Sequence, residues 1–176
     1  MVRRVFFSFH YERDIWRANQ VRNSWVTKPD RQSAGFYDAA EWETVKRGGK
    51  PAIRKWIDDH MKNTSVTVVI IGSETCDREW VRYEIEKSIE RGNGVIGIKI
   101  HNQKDKDGNT CEEGDTDFGK VDGENSFEDL FPVYDWVEDN GYEDIGDWVD
   151  AAALVARRPA LDPPEVRYID PQDCIR

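Results

Sequence analysis

Short apolar runs alternate with segments of helical periodicity along the first hundred residues. Residues 5–9 form an apolar and aromatic run, and residues 65–72 are β-branched almost throughout. Both runs are typical of strands buried in a parallel sheet. Residues 94–100 predict a further strand, and residues 35–38 carry a brief strand signal between the first two. The pattern therefore predicts four strands in this part of the chain.

Segments with apolar residues at helical spacing separate these strands. They are residues 14–26, 48–60 and 77–91, and the chain continues with an edge strand at 133–137 and a last helix through 145–155. Strands that alternate with helices of roughly ten to fifteen residues indicate a parallel sheet with right-handed crossovers. The predicted fold class is therefore α/β, with a central parallel sheet, helices on both faces and three layers.

The composition fits one domain with its own core. The chain has 176 residues, of which 38% are apolar and 11% aromatic, enough to bury a core without disulfides or metals. We predict a domain over residues 1–157 and an extended, proline-rich tail at 158–176. Residues 101–128 are rich in Asp, Gly, Asn, Lys and Glu and are predicted to form a long polar loop. Loops of this length are usually functional or mobile.

Charge is distributed unevenly along the chain. The formal net charge is −10, with 25 basic and 35 acidic residues. This balance argues against a nucleic-acid partner, because phosphate binding needs a positive face. Residues 1–100 carry a net positive charge and residues 101–176 a net negative one. We therefore expect an anionic small ligand in the first part, and an acidic region that forms solvated surface.

The cysteines and the apolar stretches indicate a cytoplasmic location. Cys76, Cys111 and Cys174 are widely spaced and form neither a disulfide framework nor a CxxC pair. The apolar run near the start is too short for a signal peptide, and no stretch approaches the length of a membrane span. We expect no membrane partner.

Common cofactor and metal motifs do not occur in the sequence. Residues 92–97 read GNGVIG, but they lie between a predicted helix and a predicted strand, where Gly92 and Gly94 are typical of a helix stop and not of a phosphate cradle. There is no phosphate-binding P-loop and no GxSxG elbow. His10, His60 and His101 have no metal-ligand spacing with one another or with the cysteines. The sequence therefore predicts neither a metal site nor a bound cofactor.

Polar residues follow the predicted strands where each strand ends. Ser8 and His10 follow the first strand, Asp38 the second and Ser73 the third. Because ligands of open parallel sheets bind at the carboxyl ends of the strands, we expect these residues to converge on one edge. Local roles are the alternative: packing for His10, capping or a turn for Asp38, and backbone hydrogen bonds for Ser8.

Glu84, in the helix after the third strand, is the candidate catalytic carboxylate. It lies one turn beyond Trp80 on the same helix face. At about 100° per residue it is roughly 80° from the centre of the apolar stripe, which predicts partial burial. Partial burial raises basicity and suits a role opposite developing positive charge, with Trp80 and Tyr83 as walls for a flat ring. An exposed ion pair with Lys87 is the alternative.

Several separate runs occur in the order found in a known family. They are RVFFSFHY (4–11), VRNSWV (21–26), TSVTVVIIGS (64–73) and WVRYEI (80–85), with further similarity at 134–137 and 141–142. These runs closely resemble the TIR-like proteins of the bacterial Thoeris antiphage defence system. The resemblance spans about residues 3–100, whereas the loop at 101–128 and the tail after 157 match less well.

The resemblance implies a TIR-type, flavodoxin-like sheet and cleavage of NAD at its nicotinamide–ribose bond. NAD is then the substrate, and no further cofactor is implied. In that family a phage-derived trigger leads to a cyclic ADP-ribose isomer that activates a separate effector protein. The family's catalytic glutamate, four residues beyond a Trp, corresponds to Glu84. Phe9 and Tyr11 join Trp80 and Tyr83 as aromatic walls expected to exclude water during ring closure.

Two other functions are alternatives to the enzyme. TIR-like folds also serve as non-catalytic adaptors that assemble head to tail, which would make the chain a homo-oligomer, and fold alone does not settle function. A phosphoacceptor receiver domain is a weaker alternative, suggested by Asp38 near a strand end. The end of the first strand lacks the acidic cluster that such a domain needs. The pairing of Trp80 with Glu84 favours the enzyme.

Overall fold

Five parallel strands form the centre of the molecule. The computed structural model describes residues 3–34 and 39–156. The strands are β1 (Arg3–Ser8), β2 (Arg31–Ala34), β3 (Val66–Ile71), β4 (Gly94–Lys99) and β5 (Val133–Asp135). They lie in the order β2-β1-β3-β4-β5, and each neighbouring pair is parallel. This is the strand order of a flavodoxin-like sheet, which confirms the predicted α/β class.

Helices cover both faces of the sheet. They are α1 (Tyr11–Val26), α2 (Ala39–Arg47), α3 (Gly49–Met61), α4 (Glu79–Glu90), α5 (Phe127–Leu130) and α6 (Gly141–Ala156). Helices α1 and α6 pack on one face, against Val66, Val68 and Ile70 of β3. Helix α4 packs on the opposite face, against Val69 and Ile71 of the same strand. The alternation of side chains along β3 therefore supplies both cores of the three-layer fold.

The second strand and the helix after it differ from the sequence prediction. The structure places β2 at Arg31–Ala34, before the segment with the strand signal; residues 35–38, including Asp38, lie outside the described residues. Strand β2 is at the edge of the sheet and largely polar, so it lacks the apolar run that marks a buried strand. Helix α2 was not predicted, and α1 begins at Tyr11, three residues earlier than expected.

The long polar segment after β4 is tied to the rest of the molecule. The buried guanidinium of Arg17 donates hydrogen bonds to the backbone carbonyls of Gln103 and Asn109, each at 2.8 Å. Phe118 and Val121 are buried against the α4 side of the sheet. Helix α5 begins inside the predicted loop, at Phe127. The segment is thus polar in composition but packed at both ends.

The predicted edge strand and last helix are confirmed as β5 and α6. The tail at 158–176 lies outside the described residues. No helix in the described part of the chain is long and apolar enough to cross a membrane.

Candidate functional site

A cavity of about 200 Å³ opens at the carboxyl end of β1. The junction of β1 with α1 forms one side, and helices α2, α3 and α4 form the others. Its lining combines aromatic and apolar side chains with charged and polar ones: Phe9, Tyr11, Trp42, Ile53, Trp80 and Val81, and His10, Glu12, Lys46, Arg78 and Glu84. Ligands of open α/β sheets bind at this edge.

Glu84 is buried at the base of this cavity. Its side chain is only 3% exposed. The hydroxyl of Ser8, the last residue of β1, donates a hydrogen bond to Oε2 of the carboxylate. Burial raises the pKa of Glu84 to about 8, although the hydrogen bond from Ser8 opposes this shift. A carboxyl group with such a pKa is mostly protonated near neutral pH, and a cationic ligand would favour its ionised form.

The burial of Glu84 is greater than its position on the helix predicts. Helical periodicity shows only which side of α4 faces the sheet. A second side is covered because Trp80 and Tyr83 of α4 pack against the apolar cluster of α2 and α3. The alternative of an ion pair between Glu84 and Lys87 is wrong, since Lys87 bonds Glu90 at 2.6 Å instead.

Four aromatic side chains surround the space above Glu84. The rings of Phe9 and Tyr11 have centroids 6.2 Å apart, and those of Tyr11 and Trp42 are 6.1 Å apart. Trp80 lies on α4 and lines the same cavity. Trp42 was missed because α2 was missed, although the apolar pair of Trp42 and Val45, three residues apart, was a signal of a helix.

Two of the predicted site residues lie away from Glu84. Tyr83 faces a separate polar cleft beyond Trp80, and its hydroxyl donates a hydrogen bond to Asp58 at 3.0 Å. Ser73 does not line the cavity, and its hydroxyl has no hydrogen-bond partner among the described residues. The structure therefore brings Ser8, Phe9, His10, Tyr11 and Trp80 to Glu84, but not Tyr83 or Ser73.

Two cations line the cavity. Lys46 of α2 lies 2.9 Å from Glu12, and Arg78, just before α4, lies 3.0 Å from Glu74. Sequence reasoning named neither cation, and only the positive balance of residues 1–100 pointed to this half of the chain. Both side chains could exchange a glutamate for an anionic ligand.

His10 is the remaining titratable group of the cavity. Its Nδ1 atom is buried and has no hydrogen-bond partner among residues 3–34 and 39–156. Burial, and then the charge of Arg78, lower the pKa of His10, while Glu74 and Glu12 oppose this shift. The imidazole is therefore neutral at physiological pH.

No cluster of three or more His, Cys, Asp or Glu side chains within the described ranges is arranged to hold a metal ion.

The parallel sheet and the cavity at its carboxyl edge define a flavodoxin-like α/β domain with a ligand site. Residues 6–105 match the family described as "Thoeris protein ThsB, TIR-like domain". The chain is also 40% identical, over 192 aligned positions, to a protein of Bacillus cereus (strain MSX-D12) named "Putative cyclic ADP-D-ribose synthase ThsB1". That alignment covers 85% of this chain and 100% of the relative. The chain belongs to the Thoeris ThsB TIR-like family, which confirms the resemblance found in the sequence.

Proposed function

We propose that this protein cleaves NAD at the bond between nicotinamide and ribose and closes the ADP-ribosyl product into a cyclic ADP-ribose isomer. The name of the Bacillus cereus relative supports this activity. The observation that carries the proposal is the carboxyl group of Glu84, buried in a cavity with aromatic walls. NAD is the substrate, and no separate cofactor takes part.

Glu84 acts as the catalytic carboxylate. Departure of nicotinamide leaves positive charge on the ribose, and a buried carboxylate beside the anomeric carbon stabilises that charge. The cationic nicotinamide ring of bound NAD favours the ionised form of Glu84, which burial alone disfavours. Nicotinamide departs as a neutral molecule, so the step needs no general acid. Ser8 holds the carboxylate in place through its hydrogen bond.

The cavity has room for only one end of the dinucleotide. Its volume of about 200 Å³ is below the roughly 300 Å³ at which pockets for drug-sized ligands begin. The nicotinamide riboside end therefore occupies the cavity, between Tyr11 and Trp80, and the pyrophosphate stays at the opening. Lys46 and Arg78 are the cations available to bind its oxygens. Ring closure requires that the aromatic walls keep water from the ribose.

The family suggests where this chemistry acts. We place it in antiphage defence in the cytoplasm, where a phage-derived trigger starts the reaction. The cyclic product then diffuses to a separate effector protein and activates it. A non-catalytic adaptor that assembles with copies of itself is the competing function, and the buried carboxyl group of Glu84 favours the enzyme.

The test compares Glu84→Gln with a matched control on the same helix. Glu86 is exposed, so Glu86→Gln makes the same chemical change outside the cavity. Purified protein, and lysate of phage-infected cells that express it, are incubated with NAD, and nicotinamide and cyclic product are measured by mass spectrometry. We expect the wild type and Glu86→Gln to form both nicotinamide and cyclic product. The rate at which Glu84→Gln forms them should be lower by at least about 100-fold.

Three results would contradict all or part of the proposal. An active Glu84→Gln variant would remove the assigned carboxylate. Intact NAD in the wild type, with and without infection, would favour the adaptor. Linear ADP-ribose as the sole product would leave cleavage in place and reject ring closure.

A further inference from the structure

Ring closure releases a proton that the cavity has to accept. When a hydroxyl of the adenosine end attacks the anomeric carbon, a C–O bond forms and the C–N bond to nicotinamide breaks. The electron pair of the C–N bond leaves with nicotinamide, and the hydroxyl proton must go to a base. Water is the ordinary acceptor, yet water in the cavity would itself attack the ribose and give linear ADP-ribose. A base within the cavity wall removes this conflict.

Most side chains of the cavity cannot take that role. Lys46 and Arg78 are cations and have no lone pair to offer. The Glu12 side chain is 67% exposed, so its carboxylate faces solvent and not the interior of the cavity. Glu84 faces the developing positive charge of the ribose under the proposed function, so protonation would remove the stabilisation that it supplies. Tyr11 offers a phenol, which is a far weaker base than an imidazole, so His10 is the stronger candidate in the cavity.

We propose that His10 accepts the hydroxyl proton during ring closure and so determines the ratio of cyclic to linear product. This inference rests on the proposed function and adds a second catalytic residue to it. His10 lines the same cavity as Glu84, directly after the end of β1. Its backbone carbonyl accepts the amide hydrogen of Asp14 at 2.9 Å, so the start of α1 fixes its position.

The surroundings of His10 suit a temporary proton acceptor. Arg78 and Arg13 act against a positive charge on the ring, whereas Glu74 and Glu12 favour it. Burial is the largest cause of the lowered pKa of His10 and acts together with the arginines, which favours the neutral imidazole with a lone pair on one ring nitrogen. Nδ1 is buried without a partner in the described part of the chain, so Nε2 is the ring nitrogen that accepts the hydroxyl proton, and the proton of the neutral ring lies on Nδ1. Burial and the charge of Arg78 disfavour the imidazolium that forms, so the proton passes on to solvent and the base is regenerated.

His10→Gln tests the proposal, with His60→Gln as the matched control. His60 stacks on Trp56 at 3.6 Å between ring centroids and does not line the cavity. Nicotinamide, linear ADP-ribose and cyclic product are measured in parallel. We expect His10→Gln to lower the ratio of cyclic to linear product about 10- to 100-fold, with a smaller fall in nicotinamide release. His60→Gln should keep the wild-type ratio.

Chemical rescue separates a base from a structural residue. Added imidazole should restore cyclic product in His10→Ala, because a small base can enter the space left by the ring, and should change nothing in the wild type. An unchanged product ratio in His10→Gln, or a lowered ratio that imidazole cannot restore in the folded His10→Ala variant, overturns the role of His10. Those results leave the proposed function intact if the wild type still makes cyclic product. A wild type that leaves NAD intact overturns both.

Discussion

At the scale of single residues, both the activity and the stability of the protein depend on whether the buried carboxyl group of Glu84 is protonated. The carboxyl group is 3% exposed and its pKa is raised to about 8. In the free protein near neutral pH the protonated form therefore predominates, whereas the proposed chemistry uses the carboxylate. Burial strengthens the attraction between the Glu84 carboxylate and the positive charge on the ribose. The same burial keeps the carboxyl group protonated until the cationic nicotinamide ring of NAD binds.

The pH dependence of NAD cleavage should follow from this pKa. If the ionised carboxyl group is needed, kcat/KM for nicotinamide release rises with pH and levels off above about pH 8, because kcat/KM reports the free protein. The inflection in kcat should lie at lower pH, since bound nicotinamide favours the carboxylate. Steady-state rates across this range check both curves. A kcat/KM that falls between about pH 6 and 8 would mean that the protonated form is the active one.

Glu84→Gln should stabilise the protein at alkaline pH. The carboxyl pKa is raised from 4.5 to about 8 on folding, so the unfolded chain ionises first and this group's contribution to stability is lost as pH rises between these values. A neutral amide removes that loss. We expect an increase of about 1–3 kcal/mol in the free energy of unfolding near pH 8.5, and almost none near pH 5.

Urea unfolding at the two pH values measures this difference. Glu86→Gln, which alters an exposed carboxyl group on the same helix, should show no such dependence. An equal effect of Glu84→Gln at both pH values would mean that the carboxyl pKa is not shifted by folding.

At the scale of elements, apolar patterning predicted the central parts of the fold and missed its edge. Strand β3 was found because all of its residues are buried, and the helix that carries Glu84 was found from its apolar stripe. Strand β2 is a partly exposed edge strand, so it has no such run, and the helix after it was missed as well. The packing of α2 and α3 against α4 cannot be predicted from the spacing of apolar residues along α4 either. Glu84 is therefore more buried than the sequence predicts.

In the candidate site, residues next to a predicted strand were found, and residues that tertiary packing brings to the cavity were missed. Phe9, His10 and Tyr11 were found because they follow a recognisable strand. Trp42 and Lys46 were missed because they reach the cavity from α2. Their approach depends on the packing of three helices, and no local pattern contains it.

The polar segment between β4 and α5 should behave as part of the folded core. Phe118 is 3% exposed and its ring centroid lies 5.1 Å from that of Phe127. We expect Phe118→Ala to lower the free energy of unfolding by about 2–4 kcal/mol, since it removes a buried aromatic side chain. Lys120→Ala, an exposed change two residues away, should stay within about 0.5 kcal/mol. Equal stabilities of the two variants would indicate a segment that unfolds independently.

At the scale of the whole molecule, buried carboxyl groups and net charge act in the same direction. Asp14 is completely buried, and burial raises its pKa to about 6. As with Glu84, the cost of ionising this buried carboxyl group lowers the stability of the folded state as the pH rises above the ordinary pKa of an aspartate. The net charge of −10 at pH 7 adds self-repulsion over the same range. Asp59 and Asp122 act in the opposite sense, because hydrogen bonds lower the pKa of each to about 2.

The free energy of unfolding should therefore be greatest at about pH 5 and decrease towards pH 8. Below about pH 4 the hydrogen-bonded surface carboxylates become protonated and stability decreases again.

Thermal unfolding across the pH range, at low and high salt, separates the two effects that lower stability at alkaline pH, namely buried carboxylates and surface repulsion. Salt screens repulsion between surface charges but leaves the cost of a buried carboxylate nearly unchanged. High salt should recover only part of the loss at pH 8, and the double change of Asp14→Asn with Glu84→Gln should recover the rest. A full recovery by salt alone would place the effect at the surface and remove the burial of these two groups as its cause.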